Sequence, residues 1–309
     1  MSEMTNAELA GETPQENDRR RLWMAALKPP MYSVAIMPIF WGTALAYQDT
    51  RQINWLTFSL FFSAAIFILA WENISNDVFD SETGIDRNKS HSLVNLTQNK
   101  SLVFGLGNLF LIIGILGIVV ICLKQQDFTV LGLILICCGL GYCYQGPPFR
   151  LGYQGLGEIL CFFAFGPLGI GAVYYSQTQS WSLSSQAAGI ILGITTSLIL
   201  FCSHFHQVED DIQAGKRSPI VRLGTQKGAE LLPWICGLTY SLILLFTIVQ
   251  FFPWATLVSF LAGFAAIELC QYVGTYHDRP EFVSRSKFIA VKFHFISGIL
   301  ITIAWCFNP

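Results

Sequence analysis

Long apolar runs separated by short polar stretches set the pattern of this chain. Nine of them stand out, with approximate limits 31–48, 54–76, 101–123, 128–145, 156–176, 185–207, 230–250, 254–274 and 288–307. A helix of roughly twenty residues spans the hydrocarbon of a bilayer, so the pattern predicts nine transmembrane helices. The fourth must finish before Gly146-Pro147-Pro148. The opening stretch breaks the pattern, being polar and acidic with Glu3, Glu8, Glu12, Glu16 and Asp18. A transit peptide is poor in acids and a signal peptide has an apolar core. Residues 1–20 therefore read as a disordered tail, and 21–309 as one membrane domain.

Composition agrees with this reading. The 309 residues are 53% hydrophobic and 12% charged, against roughly 25% charged in an ordinary soluble domain. The net charge of −2 gives no reason to expect a nucleic-acid partner. Most of the nine cysteines lie in apolar runs and none forms C-x-x-C, so they read as small core residues. Charge also orients the chain. Sixteen of the 18 basic residues fall in the tail or in loops on one side, leaving only Arg51 and Lys124 opposite. The positive-inside rule makes the N-terminus and those loops cytoplasmic.

The chemistry concentrates in Trp71–Thr97, where an apolar run turns polar. Asn73, Asn76, Asp77 and Asp80 fall at i, i+3, i+4 and i+7 and share one face of a helix. A charge inside a bilayer costs roughly 2.5–3.5 kcal/mol, so such residues face a cavity. Asp80 leads through Gly84 to Asp86, which is a ligand or a loop cap, and to Arg87 and Lys89. A second copy follows 131 residues later, Asp211-x-x-x-Gly215 matching Asp80-x-x-x-Gly84, each followed by a cation (Lys89, Lys216) and a serine. Ser203, Gln207 and Asp211 lie at i, i+4 and i+8, with His204 beside them. Both copies follow a span running inward, so the repeat is parallel. The predicted architecture is all-α and integral to the membrane, with two four-helix units and a final helix. Two acidic stripes on one side suit Mg2+, which takes oxygen ligands and bridges carboxylate to phosphate. Lys89, Lys216 and Arg150 or Arg217 then counter the charge of a bound diphosphate, a good leaving group when so held. A membrane cavity is the natural housing for a hydrophobic chain leaving it, and aromatic walls shelter an allylic cation.

Other polar residues admit two readings each. His204 and His206 either line the site or hydrogen-bond between helices, or else serve as a metal pair or a base. Glu209 and Asp210 are solvated loop charges or further ligands. Glu72 and Glu268, acids within spans, are functional candidates by default, but no partner is readable for either. A secondary transporter also carries repeats and buried acids, but places them near mid-span at broken helices. Here both clusters sit at cytoplasmic helix ends.

The motifs resemble those of the UbiA prenyltransferase superfamily from about residue 20 onward. N-D-V-F-D at 76–80 and the Gln207–Lys216 stretch resemble its two aspartate-rich motifs, and Lys28-Pro29 its basic residue–proline pair before the first helix. N-D-x-x-D-x-x-x-G-x-D, K-S-H-S-L-V-N-L-T and P-P-F-R-L-G-Y-Q-G-L-G-E at 147–158 are similar to the MenA branch. H-F-H-Q-V-E-D-D and the Tyr276–Lys287 loop are most similar to its cyanobacterial and plant members. The resemblance implies transfer of a phytyl chain from its diphosphate to a carboxylated naphthoquinone-type ring, with loss of CO2. The alternative within the family is a sister enzyme that transfers the prenyl chain from the same kind of diphosphate to another acceptor, chlorophyllide or homogentisate. The resemblance further implies Asp77, Asp80 and Asp211 as magnesium ligands and catalytic residues, aided by Asn76 and Gln207. Gln207 departs from the commoner aspartate at the head of the second motif. Lys28, Lys89, Arg150, Lys216 and Arg217 are expected at the diphosphate. Asn73, Glu158 and His204 are expected at the substrates, although Glu158 also suits a helix cap. A bacterial plasma or thylakoid membrane is the expected location.

Overall fold

The structure, a computed structural model, describes residues 22–24, 28, 31–85 and 92–307. The expected tail over 1–20 lies outside them, as do Asp86, Arg87 and Lys89. Among the described residues every regular element is a helix. In the first half these are α1 (Tyr32–Thr50), α2 (Trp55–Thr83), the short α3 (Leu93–Thr97), α4 (Lys100–Gln125) and α5 (Thr129–Gln145). Next come α6 (Gly157–Phe163) and α7 (Gly169–Thr178), which a π-helical turn at Ala164–Leu168 joins into one length. The second half holds α8 (Leu183–Ser203), two short helices α9 (Val208–Gln213) and α10 (Pro219–Leu223), and α11 (Thr225–Ile248). A 3-10 stretch at Trp254–Ala262 leads into α12 (Gly263–Tyr276), and α13 (Pro280–Val283) precedes α14 (Ser286–Cys306).

Seven of these lengths are long and apolar enough to cross a membrane: Trp55–Thr83, Lys100–Gln125, Gly157–Thr178, Leu183–His206, Thr225–Ile248, Trp254–Tyr276 and Pro280–Cys306. The 19-residue α1 and the 17-residue α5 fall outside that set.

Polar side chains start several of these helices. The Asn54 carboxamide accepts from the Thr57 N–H at 3.0 Å to cap α2, and Asn99 accepts from Leu102 N–H at 3.0 Å to cap α4. Between them, small residues set the spacing. Gly107, Gly114 and Gly117 of α4 lie so near Ile74, Ile68 and Ala64 of α2 that a methyl group at any of them presses on its neighbour. Close approach through small residues is how helices associate in lipid, where the hydrophobic effect gives them no drive to pair. The outward face of α4 presents Leu102, Leu109, Ile112 and Leu116.

The interior divides into three large apolar clusters. One packs α8 against α11, α12 and α14 through Phe205, Leu232, Leu269 and Phe293. A second joins α1, α7, α8 and α14 around Trp41, Ile170, Leu192 and Trp305, where the Trp41 indole donates to the Gly298 carbonyl at 2.9 Å. The third holds α2, α4 and α5 around Phe61, Ile118 and Ile134. Of the seven, the length containing α8 is the most enclosed, with 72% of its apolar window buried, so the others pack around it.

Two features shape the middle of this assembly. Helix α2 continues beyond the expected limit of 76 to Thr83, so Asp77 and Asp80 stand on a continuous helix that Gly84 then closes at φ 79°. Between α6 and α7 the chain unwinds: Gly166 has φ −87° and ψ −107°, and Pro167 removes a backbone donor. Such π turns interrupt helices at functional sites. Gly166 is also tightly enclosed. A Cβ there meets the Gly189 carbonyl and comes within 2.9 Å of Gly193 Cα.

Candidate active site

The first acidic motif is buried at the end of α2. Asp77 is fully enclosed and meets the Lys28 ammonium at 3.2 Å and the Leu93 N–H at 2.9 Å. Lys28, expected at a diphosphate, therefore stands on a carboxylate of the same motif. One turn on, Asp80 Oδ1 accepts from the Tyr153 hydroxyl at 3.1 Å, and that hydroxyl also lies 2.6 Å from Thr83 Oγ1. Asn73 and Asn76 line a cavity beneath, where the Asn73 amide nitrogen is buried without a hydrogen-bond partner.

The second motif is built differently. The sequence pattern places Ser203, Gln207 and Asp211 on one straight helical stripe. Instead α8 tightens into a 3-10 turn at His204–His206, Gln207 leaves helical geometry, and α9 begins at Val208. The break turns His204 towards the acid. Its Nδ1 lies 3.3 Å from Asp211 Oδ2, and its Nε2 lies 3.4 Å from Glu158 Oε1 at the start of α6. Asp211 Oδ1 meets the Lys216 ammonium at 3.3 Å. Gly215, at φ 72°, turns the chain so that the Lys216 N–H reaches the Asp211 carbonyl at 2.7 Å. Burial pushes the Asp211 carboxyl up, but His204, the Lys216 charge and Ser218 outweigh it and hold the group below the usual carboxylate range. Neither of its carboxylate oxygens completes a hydrogen bond of good geometry, and the same is true of Glu158.

Tyr153 connects the two motifs, and the sequence pattern did not single it out. Its hydroxyl is on Asp80, its ring lies 5.9 Å beneath the Lys216 ammonium, and its carbonyl accepts from the Arg217 N–H at 2.8 Å. Burial and then the Asp80 charge push the phenol above its ordinary value, so it stays a hydrogen-bond donor. The polar loop between α5 and α6 was legible; that its tyrosine spans residues some seventy positions away on either side was not.

The remaining expected residues lie at the rim. Arg150 pairs with Glu82 at 2.9 Å, as does Lys100 at 2.8 Å, so its guanidinium anchors the loop to α2. Arg217 is exposed and lines an open basin with Arg150 and Arg222. Lys89 lies outside the described residues. His206 borders the break, and Glu209 is exposed.

Below the motifs are two cavities. The upper, about 180 Å³, is lined by Asn73, Asn76, Tyr144, Ser203 and Lys287 among mostly apolar residues. The lower, about 80 Å³, is apolar apart from Glu72. They share Leu69, Glu72, Gly141, Ala164 and Phe165, so the unwound turn between α6 and α7 borders both. An acid- and lysine-rich mouth over an apolar interior suits a ligand with an anionic head and an oily tail.

A family model described as the UbiA prenyltransferase family matches residues 35–296. The chain belongs to that family. It is 53% identical over 281 residues to the 2-carboxy-1,4-naphthoquinone phytyltransferase of Synechocystis, covering 91% of this chain and 92% of that one. It is 38% identical over 297 residues to the chloroplastic 2-carboxy-1,4-naphthoquinone phytyltransferase of Arabidopsis thaliana, covering 94% of this chain and 78% of its relative. Among solved structures, a UbiA homolog from Archaeoglobus fulgidus bound to GPP and Mg2+ superposes with a TM-score of 0.62 at 16% identity, covering 92% of this chain and 99% of that one. The shared fold extends over 92% of this chain.

Proposed function

We propose that this chain is a magnesium-dependent phytyltransferase that moves the phytyl group from its diphosphate to a carboxylated naphthoquinoid ring, releasing diphosphate and CO2. The observation that carries the reading is the 53% identity, over nine-tenths of both chains, to a relative with that activity in its name. The site supports it: carboxylates and lysines gather at one mouth, and the space beneath them is apolar. In this reading α1 and α5 also cross the bilayer, giving nine spans in two four-helix units and a final helix. The N-terminus and the mouth face the cytoplasm, in a bacterial plasma or thylakoid membrane.

The donors present suit magnesium. Among the described residues no three His, Cys, Asp or Glu side chains converge on one point. Magnesium does not require that, because it keeps several waters and takes one or two carboxylates with substrate phosphates. The buried Asp211 oxygens meet Lys216 and His204 at 3.3 Å but complete no hydrogen bond, so they retain acceptor capacity for a cation. Asp77, Asp80 and Asn76 would hold an ion on one side, and Asp211 and Gln207 on the other. When bound, the ion neutralises charge on the diphosphate and makes it a better leaving group.

The chain's own residues do the rest. Lys28 and Lys216, already at the two aspartates, add positive charge where the leaving group accumulates negative charge. Lys89 is proposed to join them. His204 lies between Asp211 and Glu158, and Tyr153 holds Asp80 towards the second motif. The prenyl C–O bond breaks, and the allylic carbon bonds to the ring carbon bearing the carboxylate. That carboxylate departs as CO2, returning its electron pair to the ring, so no net proton moves. Tyr144 and Phe165 face the cavity where the cation passes.

Tyr153→Phe is expected to lower kcat/KM by roughly 10–100-fold, matching the loss of a hydrogen bond to a charged group worth about 1.5–3 kcal/mol. Steady-state kinetics on protein with an unchanged unfolding temperature measure this, and a rate equal to wild type removes Tyr153 from the site. The acceptor assignment is tested by offering phytyl diphosphate with the carboxylated naphthoquinoid, chlorophyllide or homogentisate in parallel. Preference for the first supports the reading. Transfer only to another acceptor keeps the prenyl transfer and overturns the acceptor.

A further inference from the structure

Glu72 stands on the same face of α2 as Asn76 and Asp80, at i, i+4 and i+8. Five residues before Asp77, it lies about 7.5 Å deeper along the helix axis. It is the one acidic residue lining either cavity among the described residues, and it lines both. Its carboxyl packs against the bare backbone of Gly141 on α5, where a Cβ would sit 3.4 Å from Oε1. The absence of a side chain at Gly141 makes the room that the acid occupies. Glu268, the other acid within a span, pairs with Lys292 at 2.7 Å on an exposed face. Glu72 has no cation and no hydrogen-bond partner among the described residues. A carboxyl kept in an apolar interior on those terms destabilises the protein and defaults to a functional role.

The chemistry of the substrates decides what it meets; this step rests on the reading given above. A phytyl tail offers nothing to hydrogen-bond, and a diphosphate is repelled by an acid. The oxygens of the acceptor ring are the remaining polar atoms, and they alone belong this far below the aspartates. A second unsatisfied group faces the same chamber, the buried Asn73 amide nitrogen. We propose that Glu72 recognises the acceptor: its carboxyl hydrogen-bonds a ring oxygen and, with Asn73, sets the depth at which the ring stops above the lower cavity. The lower cavity is then left to the tail.

Glu72→Leu and Glu72→Gln test this in purified protein reconstituted in nanodiscs. Glu72→Leu is expected to raise KM for the carboxylated naphthoquinoid at least about 10-fold, with KM for phytyl diphosphate held within about twofold. Glu72→Gln, which still offers a donor and an acceptor, is expected to stay within about fivefold of wild type in both. Equilibrium binding of the acceptor alone, followed by tryptophan quenching, should weaken in the same order. Because leucine removes an unpartnered polar group, the unfolding temperature should hold or rise. A shift in KM for phytyl diphosphate or in preferred prenyl length, with acceptor KM unchanged, overturns the proposal and makes Glu72 a wall of the tail cavity. Equal losses for both substrates, or none for either, overturn it too. Should wild-type protein use a different acceptor, the function reading fails separately, and the same KM split with that acceptor still tests Glu72.

Discussion

Asp80→Ala is expected to abolish prenyl transfer, lowering kcat/KM by at least about 1,000-fold, while the helices stay folded. Asp80 sits one turn before the Gly84 cap and takes the Tyr153 hydroxyl, so it contributes little to the apolar clusters that hold the helices together. Its loss removes a carboxylate from the first motif and frees Tyr153, the contact that reaches towards Lys216. Asp211→Asn should behave alike, because neither side of a clamp holds a cation-bound diphosphate alone. Asparagine is the better variant there, since alanine strands Lys216, a buried ammonium, without its partner. Circular dichroism and thermal unfolding report the fold, and initial rates with saturating phytyl diphosphate report transfer. A variant at either position that keeps most of its activity removes that aspartate from the proposed metal site.

Gly166→Leu is expected to destabilise the protein by about 3 kcal/mol or more, the upper end of what overpacking costs. The obstacle is backbone: the Gly189 carbonyl and Gly193 on α8 lie where the new side chain must go, and α8 is the most enclosed length. Flexible side chains can turn aside, whereas two backbones pressed together must separate. Separation here also disturbs Ala164 and Phe165, which border both cavities. Thermal unfolding in detergent should show a fall of several degrees for Gly166→Leu and a smaller one for Gly166→Ala. An unchanged unfolding temperature contradicts the close contact between the unwound turn and α8.

What could be read from the sequence followed from periodicity and local spacing. Apolar runs foretold the helices, and the Asp-x-x-x-Gly spacing foretold two acid-bearing ends, each closing at a left-handed glycine. Contacts between distant loops were not legible. Arg150 is positive and near the right loop, yet its guanidinium lies on Glu82. Tyr153 gave no local sign of joining the motifs, because that role depends on how the loop after α5 folds back. A single polar stripe through Ser203, Gln207 and Asp211 was expected, but ending α8 in a 3-10 turn changes the angular step and presents His204 instead. Glu72 stood out as an acid in a span. Its cavity, and the glycine across from it, needed three dimensions.

Magnesium-dependent phytyl transfer coupled to decarboxylation is the proposed activity. It is tested most directly by incubating purified protein in nanodiscs with phytyl diphosphate and the carboxylated naphthoquinoid, with magnesium or with excess chelator. Mass spectrometry follows the product and the released CO2. One CO2 is expected for each prenylated ring, only when magnesium is present, with recovery when magnesium is restored to the chelated sample. Prenylated product that retains its carboxylate, transfer undiminished by chelation, or no transfer by well-folded protein would contradict it.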